Sequence, residues 1–366
     1  MSFQTLIENH TTFTVDKFVL PDGEGQEVVL LVVSASFEKS GNDELQLAAE
    51  QSPLRVADQF HGDPAVSSVL YEADIALTKP RVDVLVHGHA HARVGRQVSS
   101  LHVRLAVADI TKELCVTGNR QWSRTPVGSK PSSPQPFLTM PLVFERAFGG
   151  IDKRHADPAR HAAEGRNLSG VGFRGAPSHD ALLGSALPNI EYVNSRQNSV
   201  SDTPVPAGFG VVARGWAPRI ALAGTYDQAW QDDQWPFLPK DFQPLHYQCA
   251  PLDQQSDVIQ GGEMFELLNL TPEGLWRFRL PSLDIPVHLI YDNRIENVRP
   301  RLDTILVDTD TKRVSLTCRL GIRTRRNSGF LREIVVGHVT GAWLRARRFR
   351  KRYLGHGHPG NVHYRL

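Results

Sequence analysis

FTVDKFVLPDGEGQEVVLLVVSASF, residues 13–37, holds two β-rich runs around a turn, and its reading decides the fold class. Phe13–Leu20 and Glu27–Phe37 are separated by Pro-Asp-Gly-Glu-Gly-Gln, in which Asp22-Gly23 supplies the positive φ that a tight turn needs. Val28–Val33 is the longest apolar run, far shorter than the roughly 20 residues that cross a bilayer, and reads as a buried strand. A second hairpin is read from LDTILVDTDTKRVSLTCRL, residues 302–320, which alternates about an Asp-Thr-Asp-Thr turn.

Shorter β-like runs occupy residues 81–88, 102–110 and 113–118, with Thr117-Gly118-Asn119 as turn residues. This spacing predicts a mainly β chain of sandwich- or barrel-like antiparallel sheets. Between about Gly118 and Asp202, Ser, Pro, Gly and His show no sustained period, so that stretch is expected to be long, irregular and mostly on the surface. Regular structure is expected to resume near Gly208. One short basic helix is expected within GHVTGAWLRARRFRKRYL, residues 337–354. The organisation expected is a core over 1–300 with an irregular middle at about 118–207, followed by a hairpin and basic tail over 301–366 packed on that core.

A chain of 366 residues with 40% apolar content buries a substantial core. The opening residues lack a basic end followed by an apolar run, so no secretory signal is read and a cytoplasmic location is expected. Cys115, Cys249 and Cys318 are widely separated, without C-x-x-C spacing, which fits free buried thiols in a reducing compartment. The net charge of +2 conceals an asymmetry: residues 341–366 hold seven of the 41 basic residues and none of the 39 acids, leaving the first 340 at −5.

Three motifs invite chemistry. His87, His89 and His91 alternate in VHGHAHAR, and on one strand face three imidazoles can ligate a transition metal. No carboxylate pattern completes such a site, so a metal-dependent enzyme stands as an alternative reading only. His356, His358 and His363 in the tail can chelate opportunistically. Gly170, Gly172 and Gly175 spell G-x-G-x-x-G, but the polar residues before them are no buried strand, so no dinucleotide site is expected. With no nucleophile elbow or phosphate loop either, neither catalysis nor a cofactor is expected. Arg345–Arg352, interleaved with Trp343, Phe349 and Tyr353, suits a nucleic-acid backbone or an anionic membrane surface as a further alternative. An acidic protein surface is the preferred reading.

The richest stretch is Trp216–Gln255, where Trp216, Tyr226, Trp230, Trp235, Phe237, Phe242 and Tyr247 lie among prolines and acids. Large aromatics with few rotamers suit either a loop-rich core or a contact surface. Several words in it carry a resemblance: A-G-T-Y-D over 223–227, Trp230, P-x-x-P-x-D-F over 236–242, A-P-x-D-Q-Q over 250–255 and G-G-E over 261–263. Others precede them: D-G at Asp22, S-S-x-x-Y-E-A-D over 67–74, K-P-x-x-D-V over 79–84, G-N-R-x-W over 118–122, M-P-L-x-x-E-R-A-F-G-G over 140–150, L-P-N-I-E over 187–191 and P-A-G-F-G over 206–210. Together they cover most of residues 20–285. The chain thereby resembles a bacterial family filed as a domain of unknown function, whose genes lie beside type VI secretion effectors. Two departures are Leu168 in Asn167–Phe173, where the family pattern has Pro, and Cys318-Arg319, where it has Trp before Arg.

The resemblance implies a non-enzymatic adaptor or chaperone that binds a toxic effector in the cytoplasm and helps load it onto the valine-glycine-repeat spike protein. The contact residues expected for such partners are Trp216, Tyr226, Asp227, Trp230, Trp235, Asp241, Phe242, Asp253 and Gln254, with Arg347 and Arg348 adding a second contact. Nucleic acid and membrane insertion are not expected.

Overall fold

A computed structural model describes residues 5–41, 44–126, 128–175, 182–323, 330–354 and 364–365. The first hairpin forms as read, with Thr14–Pro21 antiparallel to Glu27–Lys39 and Pro21 opposite Glu27. The positive φ of its turn, however, belongs to Gly25 at 75°, not to Asp22-Gly23. Asp22 instead organises the turn through its carboxylate, where Oδ1 accepts from the backbone N–H groups of Glu24 and Gln26 at 2.9 Å each.

The Leu302–Leu320 hairpin also forms, as Arg301–Asp308 paired with Arg313–Arg323. It lies in the middle of the largest sheet, parallel to Val82–His87 on one side and antiparallel to Glu27–Lys39 on the other. Residues 301–323 are therefore built into the sheet that begins with the first hairpin. This seven-stranded sheet has Gln255–Ser256 at one end and Thr14–Pro21 at the other. A five-stranded sheet carries the hairpin Ser100–Val107/Ile110–Thr117, and a four-stranded sheet joins Leu6–Asn9 to Leu331–Val336.

One continuous core unites the three sheets, including Leu31, Val33 and Phe37 from the largest, Leu105, Leu114 and Phe265 from the second, and Leu289 and Ile334 from the third. A second cluster, with Val69, Leu85, Val211, Cys249 and Leu306, lies under the loops that cover the other side of the largest sheet. Its central strands are thus covered on both faces. Residues 28–37 are buried without interruption, and the late hairpin shows buried runs in place of the expected alternation. The architecture is mainly β, with several antiparallel sheets and no closed barrel among the described residues.

Two α-helices occur among the described residues, Gln228–Asp233 and the basic Gly341–Arg348. Thr340 caps the second, its hydroxyl accepting from the Trp343 N–H at 3.1 Å. The irregular middle is poor in regular structure and mostly at the surface, but it anchors itself through Trp122, Phe148, Leu187 and Ile190, each 2% exposed or less. Past Gly208 the first regular element is the helical turn Arg219–Leu222, and strand structure resumes at Gln255.

The Asn167–Phe173 loop shows why glycine is needed in that middle. Asn167 is fully buried and donates from Nδ2 to the carbonyls of Phe144 and Phe148 at 2.8 and 3.1 Å. A Cβ on Gly149 would meet the Asn167 carbonyl at 2.3 Å, and one on Gly170 would meet its side-chain nitrogen at 2.4 Å. Glycine at both positions serves close backbone packing.

Candidate partner-binding groove

The aromatic segment is mounted on the largest sheet by buried polar contacts. Asp83, fully buried, accepts from Lys79 Nζ at 2.7 Å, from Gln248 Nε2 at 2.8 Å, and from the N–H groups of Cys249 and Ala250 at 2.8 and 3.2 Å. Burial alone opposes both charges, but their pairing prevails: Lys79 is pushed above, and Asp83 below, its ordinary range. Further along, Gln254 donates to the carbonyls of Val84 and Phe209 at 2.6 and 3.0 Å. Arg219 forms a bidentate pair with Glu72 at 2.5 and 2.6 Å and donates to the carbonyls of Val212 and His246.

Between these anchors the segment folds outward. Asp227 caps the helix Gln228–Asp233 by accepting from the Trp230 N–H at 2.9 Å, and Asp241 accepts from both the N–H and the hydroxyl of Thr225. The Trp230 indole donates to the Phe237 carbonyl at 2.9 Å and meets Tyr226 edge-on at 4.8 Å. The whole projection rests on the tip of the first hairpin, where Gln234 Nε2 donates to the Gly23 carbonyl at 3.2 Å and the Phe237 ring lies over Gly25.

The result is a groove of about 660 Å³ between that hairpin tip and the aromatic segment, with Asp22, Val28, Leu77, Phe242, Tyr247 and Arg323 among its lining. Phe242 and Tyr247 meet edge-on at 5.2 Å, and burial pushes the Tyr247 hydroxyl above its ordinary range. Beyond the groove, Trp235 is 67% and Tyr226 52% exposed. A partly apolar wall with a rim carrying Glu24, Lys240 and Arg323 can hold an apolar segment of a partner and orient it by charge.

The match to a family model spans residues 24–319, and the family is described as an uncharacterized protein conserved in bacteria (DUF2169). The chain belongs to this family. No curated protein and no solved structure matches it.

Within this DUF2169 chain the expected contact residues divide. Tyr226, Asp227, Trp230, Trp235, Asp241 and Phe242 come together in the projecting segment beside the groove. Trp216 does not, being 5% exposed and edge-on to Phe144 at 5.3 Å in the core. Gln254 is also removed from the surface: it is fully buried because its amide closes backbone hydrogen bonds. Asp253 is exposed, but it accepts from Lys112 Nζ at 2.8 Å and from the Tyr192 hydroxyl at 2.8 Å, away from the groove lining. Lys112 is buried under Gly208, Asp253 and Gln254, and burial lowers it to about 8 against the pull of Asp253.

The basic helix packs on its own protein. Trp343 is buried against Ile290 and Val335, and Arg347 stacks on Trp343 at 4.8 Å while pairing with Glu8 and Glu333. Arg348 donates to the Asn293 carbonyl at 3.2 Å. Arg347 is thus engaged with acids of the body and Arg348 with its backbone.

The three imidazoles do not share a face. Gly88, at φ 133°, breaks the strand between His87 and His89. His87 is buried beside Tyr71 at 5.0 Å, with neither ring nitrogen hydrogen-bonded, whereas His89 pairs with Asp310 at 2.8 Å. Burial first, then His61 and Arg55, hold His87 down to about 3. Among the described residues no group of three or more His, Cys, Asp or Glu side chains is arranged to hold a metal. His356, His358 and His363 lie outside those residues. Cys115, Cys249 and Cys318 are free and buried, and burial pushes the Cys249 thiol up to about 12. No helix among the described residues is long and apolar enough to cross a membrane.

Sequence reasoning missed the second wall of the groove. Leu77, Thr78 and Arg323 carry no local signal of contact: strand pairing sets Arg323 opposite Val28, and the Leu77 carbonyl lies against Gly321, which brings all three into the groove with Phe242 and Tyr247.

Proposed function

We propose that this protein is a non-enzymatic adaptor that binds a type VI secretion effector in the cytoplasm and promotes its loading onto the valine-glycine-repeat spike protein. The observation that carries the reading is the groove, together with Trp235 and Tyr226 standing exposed beside it on a segment held rigidly from below. Aromatic side chains have few rotamers to lose on binding and are the usual anchors of protein interfaces. The words that carry the family resemblance run directly through this segment. An apolar stretch of the effector would lie along Val28, Leu77 and Phe242, and the charged rim would set its register.

The test is co-expression with the products of the neighbouring effector and spike genes, followed by pull-down and size-exclusion chromatography with light scattering. A stoichiometric complex that raises effector solubility and is lost with Trp235→Ala supports the reading. Separate elution of folded, soluble partners overturns it.

A further inference from the structure

A second cleft, of about 640 Å³, lies away from the groove and has a different chemistry. Its polar lining comes from three separated stretches: Asn119–Gln121 with Ser132, Ser133 and Gln135, then Glu145–Arg146, then Asn189. Arg146 is its distinctive member. Its guanidinium is held by two neutral oxygens, Asn189 Oδ1 at 3.1 Å and Asn119 Oδ1 at 3.5 Å, and pairs with no carboxylate among the described residues. The neighbouring acid is committed elsewhere, since Glu145 accepts from the N–H and hydroxyl of Ser68 at 2.6 and 2.8 Å.

Arg120, 8% exposed, forms the adjoining wall. Its charge is balanced by Glu191 at 2.7 Å, but its Nε is buried with no hydrogen-bond partner. Gln121 and Gln135 are exposed at the cleft, and their side-chain amides make no hydrogen bond among the described residues. A partly buried guanidinium without a counter-ion favours an anion, and a planar bidentate acceptor best matches its fork. Side-chain amides, carrying donor and acceptor together, match peptide bonds. The volume accommodates several residues of extended chain, far more than an inorganic anion fills.

We propose that this cleft binds an acidic segment of a polypeptide, with one carboxylate received by Arg146 and the adjoining main chain by Gln121 and Gln135. The inference does not depend on the effector reading, because it rests on a different surface.

The test uses calorimetry on the full chain with a blocked peptide, acetyl-Gly-Ser-Asp-Glu-Asp-Ser-Gly-amide, its Asn/Gln counterpart, and inorganic phosphate. The acidic peptide is expected to bind at least tenfold more tightly than the amide peptide. Arg146→Gln should remove that preference and Arg146→Lys should restore part of it. Because Arg146 also ties Asn119 to Asn189, Ser133→Glu serves as a second variant: it places a competing charge at the exposed mouth and should weaken binding without moving Tm. No binding at millimolar peptide, equal binding of both peptides, or indifference to Arg146→Gln and Ser133→Glu overturns the proposal. Phosphate binding without a preference for the acidic peptide also overturns it.

Discussion

The Phe237 ring lies directly across the backbone of Gly25, so that a Cβ on this glycine would sit 3.0 Å from two ring carbons. The turn of the first hairpin and the aromatic segment, more than 200 residues apart in the chain, therefore interlock at one end of the groove.

Gly25→Val tests this interlock. The φ of 75° already disfavours a β-branched residue, and the added methyl groups displace the ring. A loss of about 1–3 kcal/mol in chemical denaturation is expected, with a weakened effector complex. Unchanged stability would mean that Phe237 moves aside freely and that the groove is not a fixed surface.

Trp216 and Trp235 should behave oppositely. Trp216→Ala empties a core position against Phe144 and should cost about 3–5 kcal/mol. Trp235→Ala, at an exposed position, should stay within about 0.5 kcal/mol of the parent. Denaturant midpoints for the pair decide the matter, and a strongly destabilised Trp235→Ala would contradict the surface role.

Asp83→Ala leaves the Lys79 ammonium buried without its carboxylate and strips acceptors from Gln248, Cys249 and Ala250. Breaking one partner of such a pair should cost about 3–5 kcal/mol. The double variant Lys79→Met/Asp83→Ala should recover part of this, since the orphaned charge is gone while the N–H groups remain unpaired. Equal stability of single and double variants would show that the ion pair contributes little.

His87 sets an acid limb. Its folded value of about 3 lies below the ordinary 6.5, so between these limits the unfolded chain binds more protons than the folded one. Stability from this group is fully present above about pH 6.5 and falls as pH drops towards 3, by about 1.4 kcal/mol per pH unit within the window. His87→Phe should flatten that part of the stability profile, measured by denaturation from pH 7 to 4. An unchanged acid limb would show that other groups govern it.

Both hairpins and the mainly β class were legible in the sequence because their signals are local: β-rich runs bounded by turn residues within about twenty positions. The short basic helix was legible for the same reason, as a basic stretch interleaved with Trp343, Phe349 and Tyr353. The words that carried the family resemblance were legible as words, but their physical roles were not. Glu72, Lys79, Asp83, Arg120 and Glu191 read as ordinary polar positions, yet the last four are buried, Glu72 is partly buried, and each is a partner in a pair that locks loops onto sheets.

What the sequence by itself determined was the mainly β class, the two hairpins and the concentration of aromatics between Trp216 and Gln255. Which of those aromatics faces solvent was decided by tertiary structure alone. Trp216 and Trp235 look alike in the chain, but Phe144 covers one and nothing among the described residues buries the other. The same holds for both clefts, whose walls come from segments tens to hundreds of residues apart. Side-chain periodicity records which face of a strand is apolar; it does not record which distant segment arrives to cover that face, because that depends on sheet order and loop packing.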